Sequence, residues 1–191
     1  MPQQDSQPSS APYNLTAFLG DLGSLPFLFL ALLMLQGFIS GAGLQSTAVF
    51  GLYASYVFIA YSAVILSFLC GILWATARAG EPSRLTNAAI ILSNLLALSA
   101  WASLLLIYIA PVMTIFAVTL LLAGFMAVIW AERIINGLSA ESNRAYWLMR
   151  QRVTVAVALW HILVIFMMVN LTKGPQLDVL LLIMLDHADL K

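Results

Sequence analysis

The chain has 191 residues, 62% of them hydrophobic and only 8% charged, and its eight basic and eight acidic side chains cancel. A soluble domain is about a quarter charged, so this composition excludes a fold that covers itself with polar surface in water. Nothing basic enough for nucleic acid is present, no recognition motif accompanies the arginines, and the single cysteine excludes an intramolecular disulfide or a multi-cysteine metal site.

Residues 1–20 hold no lysine or arginine, so neither a signal-peptide n-region nor an arginine-rich transit peptide is expected. The opening "MPQQDSQPSSAP" is rich in Pro, Gln and Ser and reads as a disordered tail, taken to residue 20. From there the charges cluster. None falls between Asp21 and Arg78, between Arg84 and Glu132, or between Arg152 and Lys173. A membrane span needs roughly 20 mainly apolar residues. The first two tracts hold two spans each and the third holds one.

The first span covers about 24–40, with Ser24 as its cap and Pro26 in the first turn, where a missing N–H is harmless. "SGAGLQST" is the turn after it. The second span runs from about 50 to 78 and ends at the Gly and Pro of "AGEPSR". The third covers 86–109, and Pro111 forces a very short connection to the fourth, at 112–135. Gly137 can close the fourth helix, and Ser139 with Glu141 can open the next. That helix is expected to run through the fifth span, 152–171, and to end at "KGPQ". The last apolar run, 177–187, is too short to cross and is bracketed by Asp178 and Asp186. It reads as a short interfacial helix, a re-entrant segment being the alternative. The fold class is therefore all-α, an integral membrane bundle of five helices over 21–172 with a C-terminal segment over 173–191.

Orientation follows from the basic residues. Arg78, Arg84, Arg133, Arg144, Arg150 and Arg152 share one side with the N-terminus, and Lys173 and Lys191 share the other. Six against two predicts the N-terminus inside and the C-terminus outside.

Three features within the spans carry candidate roles. In helix two, Ala63, Ser67, Gly71 and Ala75 recur four apart and form a shallow groove on one face. Small residues let helices approach closely in lipid, so the packing reading is preferred, with Ala123, Ala127 and Ala131 as a partner row. The alternative is a ligand crevice walled by Cys70 or Trp74. In helix three, Asn87, Asn94, Trp101 and Tyr108 are seven apart and stay near one seam. Asn94 lies within the span and is expected to face the bundle, as an interhelical hydrogen bond or as a polar contact to a ligand. In helix five, His161 is the one ionisable side chain deep in a span besides Cys70. A single His without an intramembrane carboxylate is a poor proton relay, so a structural hydrogen bond across the bundle is preferred, with Tyr61 or Ser62 as acceptor candidates.

At the arginine-rich border, Arg78, Glu132, Arg133, Arg150 and Arg152 end or begin spans, and Asp21 enters at the same level. Salt bridges such as Glu132 with Arg78 or Arg150 are one reading. A basic pocket for an anionic lipid head group, with Arg78, Arg150 and Arg152 as its contacts, is the other. No Ser–His–Asp set, paired carboxylates, HExxH or phosphate loop is found, so no catalytic residue, cofactor or metal is assigned.

Five stretches occur together: "LGDLGSLPFLFLALL", "YSAVILSFLCGILWA", "SNLLALSAWASLLL", "LLLAGFMAVIWAER" and "YWLMRQR". In this order they resemble the uncharacterised membrane family that includes bacterial inner-membrane proteins and the eukaryotic transmembrane protein 69. The most specific part is Tyr61, Ala63, Ile65, Leu66, Ser67, Phe68, Leu69, Gly71 and Trp74; relatives often carry Gly where this chain has Ser62 and Cys70. The resemblance covers about 19–171. It implies a five-helix layout in a bacterial inner membrane and no activity. The functional expectation is a non-enzymatic scaffold or accessory subunit, contacting lipid and other membrane proteins or itself. The alternatives are a binder or carrier of a lipid, quinone or small solute, and, remotely, an intramembrane enzyme.

Overall fold

The computed structural model describes residues 18–43, 46–110, 113–137 and 144–188. Five helices carry the fold: α1 (Leu25–Ile39), α2 (Ala54–Ala79), α3 (Arg84–Ile109), α4 (Met113–Gly137) and α5 (Arg144–Ala188). Five helical stretches are long and apolar enough to cross a membrane: Phe18–Ile39, which adds the helical residues before α1, and one in each of α2 to α5. The expected disordered tail lies outside the described residues except for 18–20, which are helical, and the Ser139–Glu141 cap lies outside them entirely.

The helices pack as a closed circuit. α2 lies against α1, α3 and α4, α3 against α4, α4 against α5, and α5 returns to α1. α2 and α5 are bridged mainly by α1 and α4, and touch each other through Phe58 and His161. One aromatic group holds the centre: Phe27 of α1 meets Phe58 at 5.7 Å, Tyr61 at 4.9 Å and Phe125 at 6.2 Å between ring centroids, all edge-to-face.

The closest approach in the bundle is made by Gly124. A Cβ there would sit 2.5 Å from a methyl of Leu66, so the α4 backbone is the surface on which that buried leucine rests. The row Ala63, Ser67, Gly71 and Ala75 does not play this part. Ala63 is buried, but Ser67, Gly71 and Ala75 are exposed, and a Cβ at Gly71 would meet nothing within 4 Å. On α4, Ala131 is buried while Ala123 is exposed. The packing face of α2 is instead Phe58, Ser62, Leu66, Cys70, Leu73 and Ala77. The four-residue interval gives one face; which of two faces turns inward is decided by volume, and Phe58 and Leu66 bury far more area than the small row.

The second seam is turned outward as well. Asn87, Asn94, Trp101 and Tyr108 are all exposed on α3, the least covered helix. Asn94 does not bond across the bundle; its Nδ2 donates to the Ile90 carbonyl one turn back, at 2.8 Å. The same economy recurs in the spans: Ser62 donates to Phe58, Ser103 to Ala100, Thr119 to Ile115, and Thr154 to Arg150. Such bonds keep short polar side chains satisfied without a neighbour helix.

Helix ends differ from expectation in four places. Ser24 does not cap α1 with its side chain; Ser24 Oγ donates to Asp21 O at 2.7 Å, at a break between the helical residues 18–22 and α1. α2 begins at Ala54 rather than 50, because 48–53 form a small antiparallel hairpin with Ala48 opposite Tyr53 and Val49 opposite Leu52. Its two turn residues, Phe50 (φ 52°) and Gly51 (φ 79°), are left-handed, as a two-residue turn between twisted strands requires. α3 starts at Arg84, capped by Ser83: its Oγ accepts from Thr86 N at 3.1 Å while Thr86 Oγ1 accepts from Ser83 N at 2.8 Å. At the other end of the chain, α5 is helical without interruption to Ala188, so the expected stop at "KGPQ" and a separate helix over 177–187 are not seen. Pro175 removes one main-chain donor, and the Leu, Val, Ile and Met run beyond it continues the same spiral.

Candidate functional site

Two helical stripes converge at the arginine-rich end. On α4 the buried positions Leu121, Phe125, Val128, Glu132 and Ile135 recur at three- and four-residue steps; on α5, Arg150, Thr154, Val157, His161 and Val164 do the same. The stripes face each other and bring Glu132 against Arg150. Arg150 Nε donates to Glu132 Oε2 at 2.9 Å and Nη2 donates to Oε1 at 3.1 Å. This is the forked geometry a guanidinium and a carboxylate favour, and the side chains are only 7% and 4% exposed.

Beside this pair lies a crevice of about 440 Å³. Phe27 and Phe125 line it, Ile65 and Leu69 belong to its α2 wall, and Arg150 and Thr154 to its α5 wall. It exists because α2 and α5, which touch at Phe58 and His161, stay apart toward the arginine-rich end, and because residues 18–22 lie across the gap. That short segment is held from both sides. Tyr61 Oη donates to the Gly23 carbonyl at 2.8 Å, which satisfies a main-chain acceptor at the helix break. On the α5 side a Cβ at Gly20 would lie 2.8 Å from Met149 Sδ, so glycine permits the close approach.

His161 sits one turn beyond Val157, on the same stripe as the crevice wall. The ring is 0% exposed and boxed by Phe27, Phe58 and Phe125 at centroid distances of 5.6, 4.8 and 5.3 Å. Its Nδ1 is 2.8 Å from Val157 O, which can only accept, so Nδ1 carries the proton of that bond. Nε2 is buried with no hydrogen-bond partner among the described residues. Neither Tyr61 nor Ser62 serves it, since both donate to main-chain carbonyls elsewhere. Two of the rings that box the imidazole also line the crevice, so His161 lies directly behind its blind end.

The other arginines are placed differently. Arg152, two residues after Arg150, turns to another side of α5, and its Nη2 donates to both carboxylate oxygens of Asp21 at 2.8 and 2.6 Å. Arg78 is exposed with its guanidinium carbon 5.7 Å from the centroid of Trp74, a cation–π arrangement. Arg78, Arg150 and Arg152 therefore do not gather in one pocket. Each has its own counterpart, and among the three Arg150 alone lines the crevice. Of the seam residues, only Ala63 and His161 are buried; Ser67, Gly71, Trp74, Asn94 and Trp101 face outward. Among the described residues no three His, Cys, Asp or Glu side chains gather to hold a metal ion.

Phe27, Phe125 and the break at Gly23 build the crevice, and none was singled out from the sequence. The one local signal was "GDLGSLP", whose two glycines and proline mark a discontinuity at the mouth of the first span.

No curated protein and no solved structure matches the chain. A family profile, described as "Protein of unknown function (DUF3429)", matches residues 13–166. Spanning most of the five-helix core, that match identifies the chain as a member of the DUF3429 family.

Proposed function

We propose that the chain is a non-enzymatic multi-pass protein of a bacterial inner membrane that holds a neutral amphiphile in the crevice between residues 18–23, α2 and α5. The crevice carries the reading. About 440 Å³ of mainly apolar space lies within the range of small-molecule sites, with few polar groups at its wall. The Glu132 carboxylate offsets the Arg150 charge, so the wall offers hydrogen-bond donors without a net attraction for a full anion. A lipid tail, a quinone or a comparably apolar solute suits such a space. Of the polar side chains on its wall, Arg150 is held in an ion pair and Thr154 is bonded to its own helix.

Native mass spectrometry after gentle extraction tests this. One neutral amphiphile per chain is the expected adduct, and Val153→Trp or Ile65→Trp, which fill the crevice, should each remove it. Folded variants that keep the adduct would overturn the reading.

The outward Asn94 supports a second reading, a scaffold that packs with another membrane protein or a second copy. Its amide retains an oxygen and an N–H with no described partner inside the span, where another helix could use them. Energy transfer between labelled copies in liposomes should fall for Asn94→Leu; an unchanged signal removes that reading. The arginine bias supports an inside N-terminus and an outside C-terminus. Thiol labelling of cysteines placed at both ends would oppose this if it found them on one side. Kinship with transmembrane protein 69 belongs to the same reading and adds no activity to it.

A further inference from the structure

On the side of α5 next to the crevice, with Thr154 lining both, a groove of about 470 Å³ runs between α4 and α5. Its apolar stretch includes Met126, Val155 and Leu159, and its arginine-rich end carries Arg133, Trp147 and Gln151. Arg133 is exposed, and no carboxylate lines this groove among the described residues. The contrast with its neighbours is sharp. Glu132 neutralises Arg150, Asp21 neutralises Arg152, and Arg78 rests on Trp74. Arg133 has no hydrogen bond, ion pair or ring contact to a described residue.

The dimensions suit one leaflet. From Trp147 to Leu159 the groove follows α5 for about 18 Å at a rise of 1.5 Å per residue. One leaflet contributes roughly half of a ~30 Å hydrocarbon core. The polar end stands where the arginines mark the membrane border, and Trp130 and Trp147 are the amphipathic rings found at that level.

We propose that this groove is a binding site for an anionic phospholipid, distinct from the neutral crevice. The phosphate accepts from the Arg133 guanidinium and the Gln151 amide, and one acyl chain lies along Met126, Val155 and Leu159. Charge complementarity selects the occupant: a cation uncompensated by any described residue, at the mouth of an apolar groove of leaflet length, meets a ligand with one negative head and a chain.

The test uses the full chain in nanodiscs of phosphatidylcholine with one fifth phosphatidylglycerol, and native mass spectrometry after release. The wild type should retain phosphatidylglycerol well above its share. Arg133→Gln should bring retention down to the bulk share, and Arg133→Lys should keep most of the excess. Arg152→Gln, which removes a cation already paired, should leave the excess in place. An excess that survives Arg133→Gln, or that disappears equally with Arg152→Gln, overturns the assignment. The crevice variant Val153→Trp keeps the two sites apart, because it should remove the neutral adduct and leave the phosphatidylglycerol excess intact.

Discussion

Arg150 and Arg152 are two residues apart on one helix, each bonded to a carboxylate through two short contacts, yet they are different objects physically. The Glu132–Arg150 pair is almost wholly buried, with side chains 7% and 4% exposed; the Asp21–Arg152 pair is open, at 66% and 50%. The same contrast separates two glycines. Gly124 lies where a Cβ would strike Leu66, and Gly71 lies where it would touch nothing. Residue type and contact geometry are thus poor guides to energetic weight in this bundle. What matters is which side of the helix the group occupies, and what remains if it is removed.

The largest effect should come from taking one partner of the buried pair. Glu132→Gln or Arg150→Met leaves an uncompensated buried group, at a cost of about 3–5 kcal/mol. Thermal unfolding in detergent should show a large loss for either change. Replacing both by methionine should restore most of it, because the cost lies in the orphaned charge rather than in the missing bond. If the single and double variants proved equally destabilised, the pair would be an ordinary packing element and the contrast would fail.

Next is Gly124→Val. Extra methyl groups would press on Leu66 in the closed core, where overpacking costs about 1–3 kcal/mol. A variant as stable as the wild type would mean that Leu66 moves aside freely. Asp21→Asn should cost less, about 0.2–1 kcal/mol, and the loss should shrink in high salt because exposed pairs are screened. The smallest change is expected for Gly71→Ala, with no loss of stability in the same assay, since the added methyl meets no atom of the chain. Destabilisation there would point to a partner on that face and would sharpen the case for the scaffold reading.

Five apolar helices could be read from charge-free tract lengths, because a bilayer sets span length more strictly than any residue preference. That Glu132 would meet an arginine of its border was likewise legible, with Arg78 and Arg150 both candidates; the buried stripes of α4 and α5 decide for Arg150. The two small or polar seams were legible as faces and not as directions. Periodicity fixes that Ser67 and Gly71 share a side, and that Asn94 and Trp101 do; only the sum of side-chain volumes across neighbouring helices says which side closes. Asn94 misled for a further reason, since its amide can bond the helix that carries it. The crevice was not legible, because it is a gap between α2 and α5, residues far apart in the chain, bridged by a helix break only a few residues long. The hairpin over 48–53 escaped because strands of two residues leave no alternation to read.

That hairpin has one consequence of its own. Phe50 at its tip is 99% exposed and occupies a backbone conformation that favours glycine, at a cost of about 1–2 kcal/mol. The ring packs against nothing among the described residues, so judged on these alone it is a net burden. At the end of a span, however, an aromatic ring can rest among lipid glycerol and carbonyl groups. The tip would then act as a float, setting the height at which α2 rides in the membrane.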